Sequence, residues 1–142
     1  MKDVIKRIVT PNESGLVELL LRVYVGATMI YHGSGKLIYF NGTVEFFRAV
    51  GIEPAGLMTV MAGLGESLGG IALIVGLFSR LGATVNCLSM FIAIIFVGWP
   101  NGFDIRDGGW EYEATLMFVF MFIAIQGAGK YSLDYKLFNK LM

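Results

Sequence analysis

Cysteine, histidine, proline and net charge are all scarce in this chain of 142 residues. The single cysteine, Cys87, excludes an internal disulfide and a Cys-x-x-Cys redox pair. The single histidine, His32, has no second histidine or thiolate cluster beside it in the sequence, so neither a metal nor a haem is expected. The formal charge is zero, which removes the basic footprint of a nucleic-acid binder. The opening MKDVIKRIVTPNESG lacks the apolar core of a signal peptide. With three prolines in the whole chain, long stretches are free to run as unbroken helix.

What is abundant is apolar surface. The chain is 56% hydrophobic with a mean hydropathy of +0.68, above the roughly 45–50% of soluble domains. Four runs approach the ~20 residues that cross a bilayer as helix: about 15–38, 54–78, 81–99 and 109–127. The third, LGATVNCLSMFIAIIFVGW, carries no charge on any face, whereas a soluble surface helix would show a polar stripe. The expected fold is therefore all-α: one integral membrane four-helix bundle, multi-pass, with a tight hairpin at Ser79–Arg80. With four spans, Lys2, Lys6, Arg7, Arg80, Lys130, Lys136 and Lys140 share one side, against Lys36, Arg48 and Arg106 on the other. The basic side is expected to be cytoplasmic, with both termini.

Short amphipathic surface helices are expected besides the spans. Val4, Ile5, Ile8 and Val9 form one face of the N-terminus; Val44, Phe47 and Val50 repeat at helical spacing in the first loop; Leu133, Leu137 and Leu141 form a stripe beside Lys136 and Lys140.

The first span is unusual in its charge. Arg22, Gly26, Met29, Gly33 and Lys36 step by four, three, four and three residues and so share one face, with His32 beside it and Glu18 one turn before Arg22. A charged face at mid-bilayer costs roughly 2.5–3.5 kcal/mol per residue, so it is expected to turn inward and find partners. In the second span Ala62, Gly65, Gly69, Ala72 and Gly76 form a stripe of small residues that admits a close helix, and Glu66 borders it. Measuring depth from Lys36 and from Pro54 at 1.5 Å per residue brings Arg22 level with Glu66. Glu113, at the start of the fourth span, then falls near His32 and Lys36. Two polar layers are expected: Arg22–Glu66 near mid-membrane and His32–Lys36–Glu113 near the outer face.

The segments LLRVYVGATMIYHGSGKL, GLGESLGGIALIVGLFSRLGA, GFDIRDGGWEYEATL and GAGKYSLD together resemble the DoxX family of small membrane proteins. The resemblance implies a four-helix bundle in a bacterial inner membrane. Related DoxD proteins belong to thiosulfate:quinone oxidoreductases, other relatives associate with redox or detoxification complexes, and eukaryotic relatives act as receptor-assembly factors. It implies Arg22, His32, Lys36, Glu66 and Glu113 as the matching polar sites. On this reading the chain is a quinone-associated subunit of a membrane oxidoreductase system. His32, Lys36 and Glu113 would do the proton chemistry, and Arg22, His32, Lys36 and Glu66 would hold quinone. Asp134 is expected to be a cap or turn residue. The bilayer and a membrane protein, or a second copy, are the expected partners. The alternatives are a scaffold working through the glycine stripe and the amphipathic ends, or a conduit for protons or small solutes.

Overall fold

The computed structural model of the chain describes residues 15–138. Among the described residues every regular element is helical. Helix α1 is Leu16–Ile38, α2 is Phe40–Ala49, α3 is Ala55–Val75 and α4 is Ser79–Ala93. A π-turn, Ile94–Gly98, and a 3-10 turn, Trp99–Asn101, extend α4 to the loop; α5 is Glu111–Gln126 and α6 is Leu133–Phe138. The four expected runs thus correspond to α1, α3, the extended α4 and α5. The amphipathic reading of the first residues and of Lys140 and Leu141 lies outside the described residues.

Among the described residues, length and apolar composition alone qualify two helices for crossing a membrane, Ala55–Val75 and Ser79–Asn101, each with only 33% of its most apolar window buried. A soluble core helix would be mostly covered, so the exposed apolar surface is the telling feature. It continues on α1 through Leu20 and Val23 and on α5 through Phe118, Phe122 and Ile125. Charged Arg22 and Glu66 are buried meanwhile. An apolar exterior with charged side chains buried inside departs from the soluble pattern.

Glycine contacts set the packing. A Cβ on Gly26 would stand 2.7 Å from the Gly70 carbonyl, and one on Gly33 2.7 Å from the Gly63 carbonyl, so α1 and α3 touch backbone to backbone. This antiparallel pair is the most extensive interface; α4 packs on α3 and α5 on α4. The expected stripe of Gly65, Gly69 and Gly76 is divided differently. Gly65 faces Val85 and Gly69 faces Asn86 and Gly82, all on α4. Gly76 is not a packing residue of the stripe: it is the left-handed C-cap of α3, φ 74°, against Arg22 and Ser132. The stripe that meets α1 is Gly63 and Gly70, one position off the expected one.

The core is formed by Val25, Met29, Leu73, Met90, Leu116, Phe120 and Ile123. A smaller cluster seats α2 on the start of α3 through Phe47, Ile52 and Ala55. The apolar stripe of α2 is therefore used against protein. The Glu53 carboxylate accepts the Ala55 N–H at 2.8 Å and so holds the first turn of α3. At the far end of α4, Pro100 has no N–H to donate, and the preceding turn widens so that the Trp99 N–H reaches back to the Ile94 carbonyl.

Candidate functional site

The inward face of α1 forms as its spacing demands: Arg22, Val25, Gly26, Met29 and Gly33 are its buried residues. The partners differ from expectation. Arg22, wholly buried, does not meet Glu66. Its Nη1 donates to the Leu73 carbonyl at 2.6 Å and its Nη2 to the Tyr131 carbonyl at 2.7 Å. Leu73 is seven residues beyond Glu66, about 10 Å along α3. Glu66 is instead ion-paired with Lys36, Nζ to Oε2 2.6 Å, with side chains 4% and 24% exposed.

The register explains the exchange. Gly33 lies against Gly63 and Ser67, and Gly76 against Arg22, so Arg22 comes level with the end of α3 while Lys36 stands about one turn from Glu66, within reach of its long stem. The sequence-based depth put Lys36 and Pro54 in one plane. The first two turns of α3 in fact project beyond Lys36, where α2 packs on them.

Lys36 and His32 do come together, on the wall of a cleft of about 560 Å³ at the junction of α1 and α2. Tyr31, Ser34, Gly35, Ile38, Tyr39 and Thr43 complete the lining. His32 is exposed and meets the Tyr31 ring edge-on, centroids 5.6 Å apart. The Ser34 and Thr43 hydroxyls are spent on the carbonyls of Tyr31 and Tyr39, at 3.2 and 3.1 Å. The donors left for a ligand are the imidazole, the ammonium and the phenols of Tyr31 and Tyr39. Among the described residues no carboxylate lines the cleft; Glu66 stands behind Lys36. Glu113 is absent from the cleft lining and from the Lys36 ion pair, so the expected His32–Lys36–Glu113 cluster is not formed. Glu113 lies on α5 with its Oε2 shut off from solvent and without a hydrogen-bond partner among the described residues.

A second polar centre lies at the other pole, where Asp134 is a cap as expected but of a helix the sequence did not indicate. The Asp134 carboxylate accepts the N–H groups of Phe78 and Ser79 at 2.8 and 2.9 Å, and the Asp134 N–H donates to the Gly76 carbonyl at 2.8 Å. It caps α4, a helix 55 residues away, rather than its own. With Arg22 on the Tyr131 carbonyl, this fastens the C-terminal segment across the ends of α1, α3 and α4. The signal available in the sequence was an Asp in a turn; its target was not. In the loop between α4 and α5, the Arg106 guanidinium hydrogen-bonds Asp104 and holds its carboxyl below the usual range.

The DoxX family model matches residues 17–99, which include α1 but for its first residue, α2 to α4, both members of the ion pair and the whole cleft. The chain belongs to the DoxX family. Three relatives extend the match to most of the chain. A Haemophilus influenzae protein described as "Uncharacterized protein" is 33% identical over 84% of this chain and 90% of its own length. "Putative oxidoreductase CatD" of Bacillus subtilis is 31% identical over 82% of this chain and 83% of its own. "Inner membrane protein YqjF" of Escherichia coli is 28% identical over 86% and 92%. No solved structure matches. This DoxX chain is thus a helical membrane protein with an oil-facing exterior and two internal polar centres.

Proposed function

We propose that this DoxX protein is a multi-pass inner-membrane protein that serves a membrane oxidoreductase system by holding a quinone head group in the α1–α2 cleft. The observation that carries the reading is the Lys36–Glu66 ion pair. It connects a donor-lined cleft to a buried carboxylate. A quinone offers two carbonyl oxygens, which accept hydrogen bonds and gain basicity as electrons arrive. His32 and Lys36 can donate to such an oxygen, and Glu66 fixes the ammonium in place. The electrons come from a partner reductase. Arg22, held by carbonyls at the opposite pole, binds no quinone in this reading. The names of the Bacillus subtilis and Escherichia coli relatives support the redox setting and the inner membrane.

Four spans with both ends cytoplasmic are part of this reading, supported by the lysine and arginine distribution and by the apolar exterior of α1 and α5. The cleft then opens toward the outer face. A scaffold working through the small-residue stripe would need that stripe free for a partner. Gly65 and Gly69 are instead occupied by α4, and Gly63 and Gly70 by α1.

The test is the quinone content of the chain purified from its membrane in mild detergent. Near-stoichiometric quinone in the wild type, falling at least tenfold in His32→Ala and Lys36→Met, supports the proposal. A quinone-free wild type, with unchanged quinone-linked electron flow in cells carrying His32→Ala, overturns it.

A further inference from the structure

The pole opposite the cleft carries cations that the bundle does not consume. Arg80, in the first turn of α4, is exposed, and among the described residues its guanidinium has no hydrogen-bond or ion-pair partner. It is held in place all the same. Its Nε and Nη2 lie 3.3 and 3.4 Å from where a Cβ on Gly127 would stand, so it rests on the glycine that ends α5. Its N–H groups are left to donate. Two more exposed cations reach the same rim. Lys130 follows Gly127 by three residues. Lys136 follows Asp134 by two, and the Asp134 carboxylate accepts the Ser79 N–H beside Arg80.

Two carboxylates stand near, and both are engaged. Asp134 holds the N–H groups of Phe78 and Ser79, and Glu18 lies against Gly129 within the field of buried Arg22. Among the described residues, four cations, Arg22, Arg80, Lys130 and Lys136, thus face two carboxylates, Glu18 and Asp134, and the rim keeps a positive excess. The side chains around it mark its depth. Phe78 and Phe138 pair their rings, centroids 6.4 Å apart, with Tyr131 and Tyr135 exposed on the same segment. Aromatic rings beside basic side chains belong at the head-group level of a bilayer.

We propose that this rim binds the phosphate of an anionic phospholipid, with Arg80 as the fixed donor and Lys130 and Lys136 beside it. A guanidinium donates to two phosphate oxygens at once, and basic groups between helix ends at a membrane face suit anionic head groups. The rings favour a phosphate that arrives on a lipid over one free in water. Bound there, it ties the start of α4, the end of α5 and the C-terminal helix together. The site is remote from the cleft and independent of the quinone reading.

The experiment uses the full chain in mild detergent. It measures equilibrium binding of fluorescent phosphatidylglycerol and of phosphatidylcholine with the same acyl chains, with inorganic phosphate as competitor. The anionic lipid is expected to bind at least tenfold more tightly, with a preference that shrinks as salt rises. Arg80→Gln should cut the preference about fivefold, the worth of one basic residue at a membrane surface. Arg80→Gln/Lys130→Gln/Lys136→Gln should remove most of it, and Arg106→Gln, in the loop at the opposite pole, should leave it unchanged. Equal binding of the two lipids by the wild type would overturn the proposal, and so would a full preference in the triple variant. Displacement of the anionic lipid by millimolar inorganic phosphate would overturn the lipid as the source of the anion. All three substituted positions are exposed, and the wild-type comparison stands without them.

Discussion

Helix α1 carries two inward cations fourteen residues apart, and the protein treats them in opposite ways. Arg22 gives two of its N–H groups to backbone carbonyls, one from α3 and one from the C-terminal segment. Lys36 gives a proton donor to a titratable carboxylate, at the edge of an open cleft. A guanidinium fork matches two fixed acceptors at once and keeps its charge, which suits a permanent tie. An ammonium on a flexible stem, with N–H donors to spare, suits a site whose occupant changes. The inner pole is therefore read as structure and the outer pole as function, on the same helix.

Breaking the inner pole should cost most. Arg22→Met removes two charge-assisted bonds and leaves two carbonyls without donors, so the chain should lose about 3 kcal/mol. The check is a thermal melt in detergent, with limited proteolysis showing earlier cleavage near residue 130. At the outer pole, Glu66→Gln leaves Lys36 facing a neutral amide. Fully buried pairs lose about 3–5 kcal/mol on such a change, and the exposure of Lys36 reduces this to about 2 kcal/mol. The double variant Lys36→Met/Glu66→Leu should recover most of it, which a double-mutant cycle would read. Asp134→Ala uncaps α4 and should cost about 1 kcal/mol in the same melts.

Smaller effects sharpen the contrast. Gly35→Ala adds a methyl where there is open space and stiffens a helix interior, so it should stabilise by about 0.5–1 kcal/mol. The corresponding change at Gly26 strikes the Gly70 carbonyl and should destabilise. The smallest effect belongs to Asp104. Arg106 depresses its folded pKa, so its contribution is complete above the unfolded value and fades as pH falls through the depressed one. Asp104→Asn should lower the melting temperature slightly at neutral pH, and the difference from wild type should vanish as pH falls through the depressed pKa.

Much of this was legible in the residues. The apolar runs located α1, α3, α4 and α5. The four-three spacing from Arg22 to Lys36 identified the buried face of α1, because a charged face has nowhere else to go. The pairing was not legible. Which cation meets Glu66 depends on how far α1 slides along α3, and that is fixed by two glycine contacts between helices, Gly26 with Gly70 and Gly33 with Gly63. Small residues announce that a helix can approach; they do not say at what height. The same limit hid Asp134, whose carboxylate serves backbone N–H groups that any residue at 78 and 79 would offer. The cleft likewise depends on how α2 turns away after Ile38.

One comparison tests the division between the poles most directly: quinone bound per folded chain, measured beside melting temperature, in Lys36→Met/Glu66→Leu and in Asp134→Ala. The first variant should melt close to wild type and bind no quinone, and the second should melt lower and bind it fully. Full binding without Lys36 and Glu66, or its loss on uncapping α4 in chains that remain folded, would contradict the assignment of function to the outer pole.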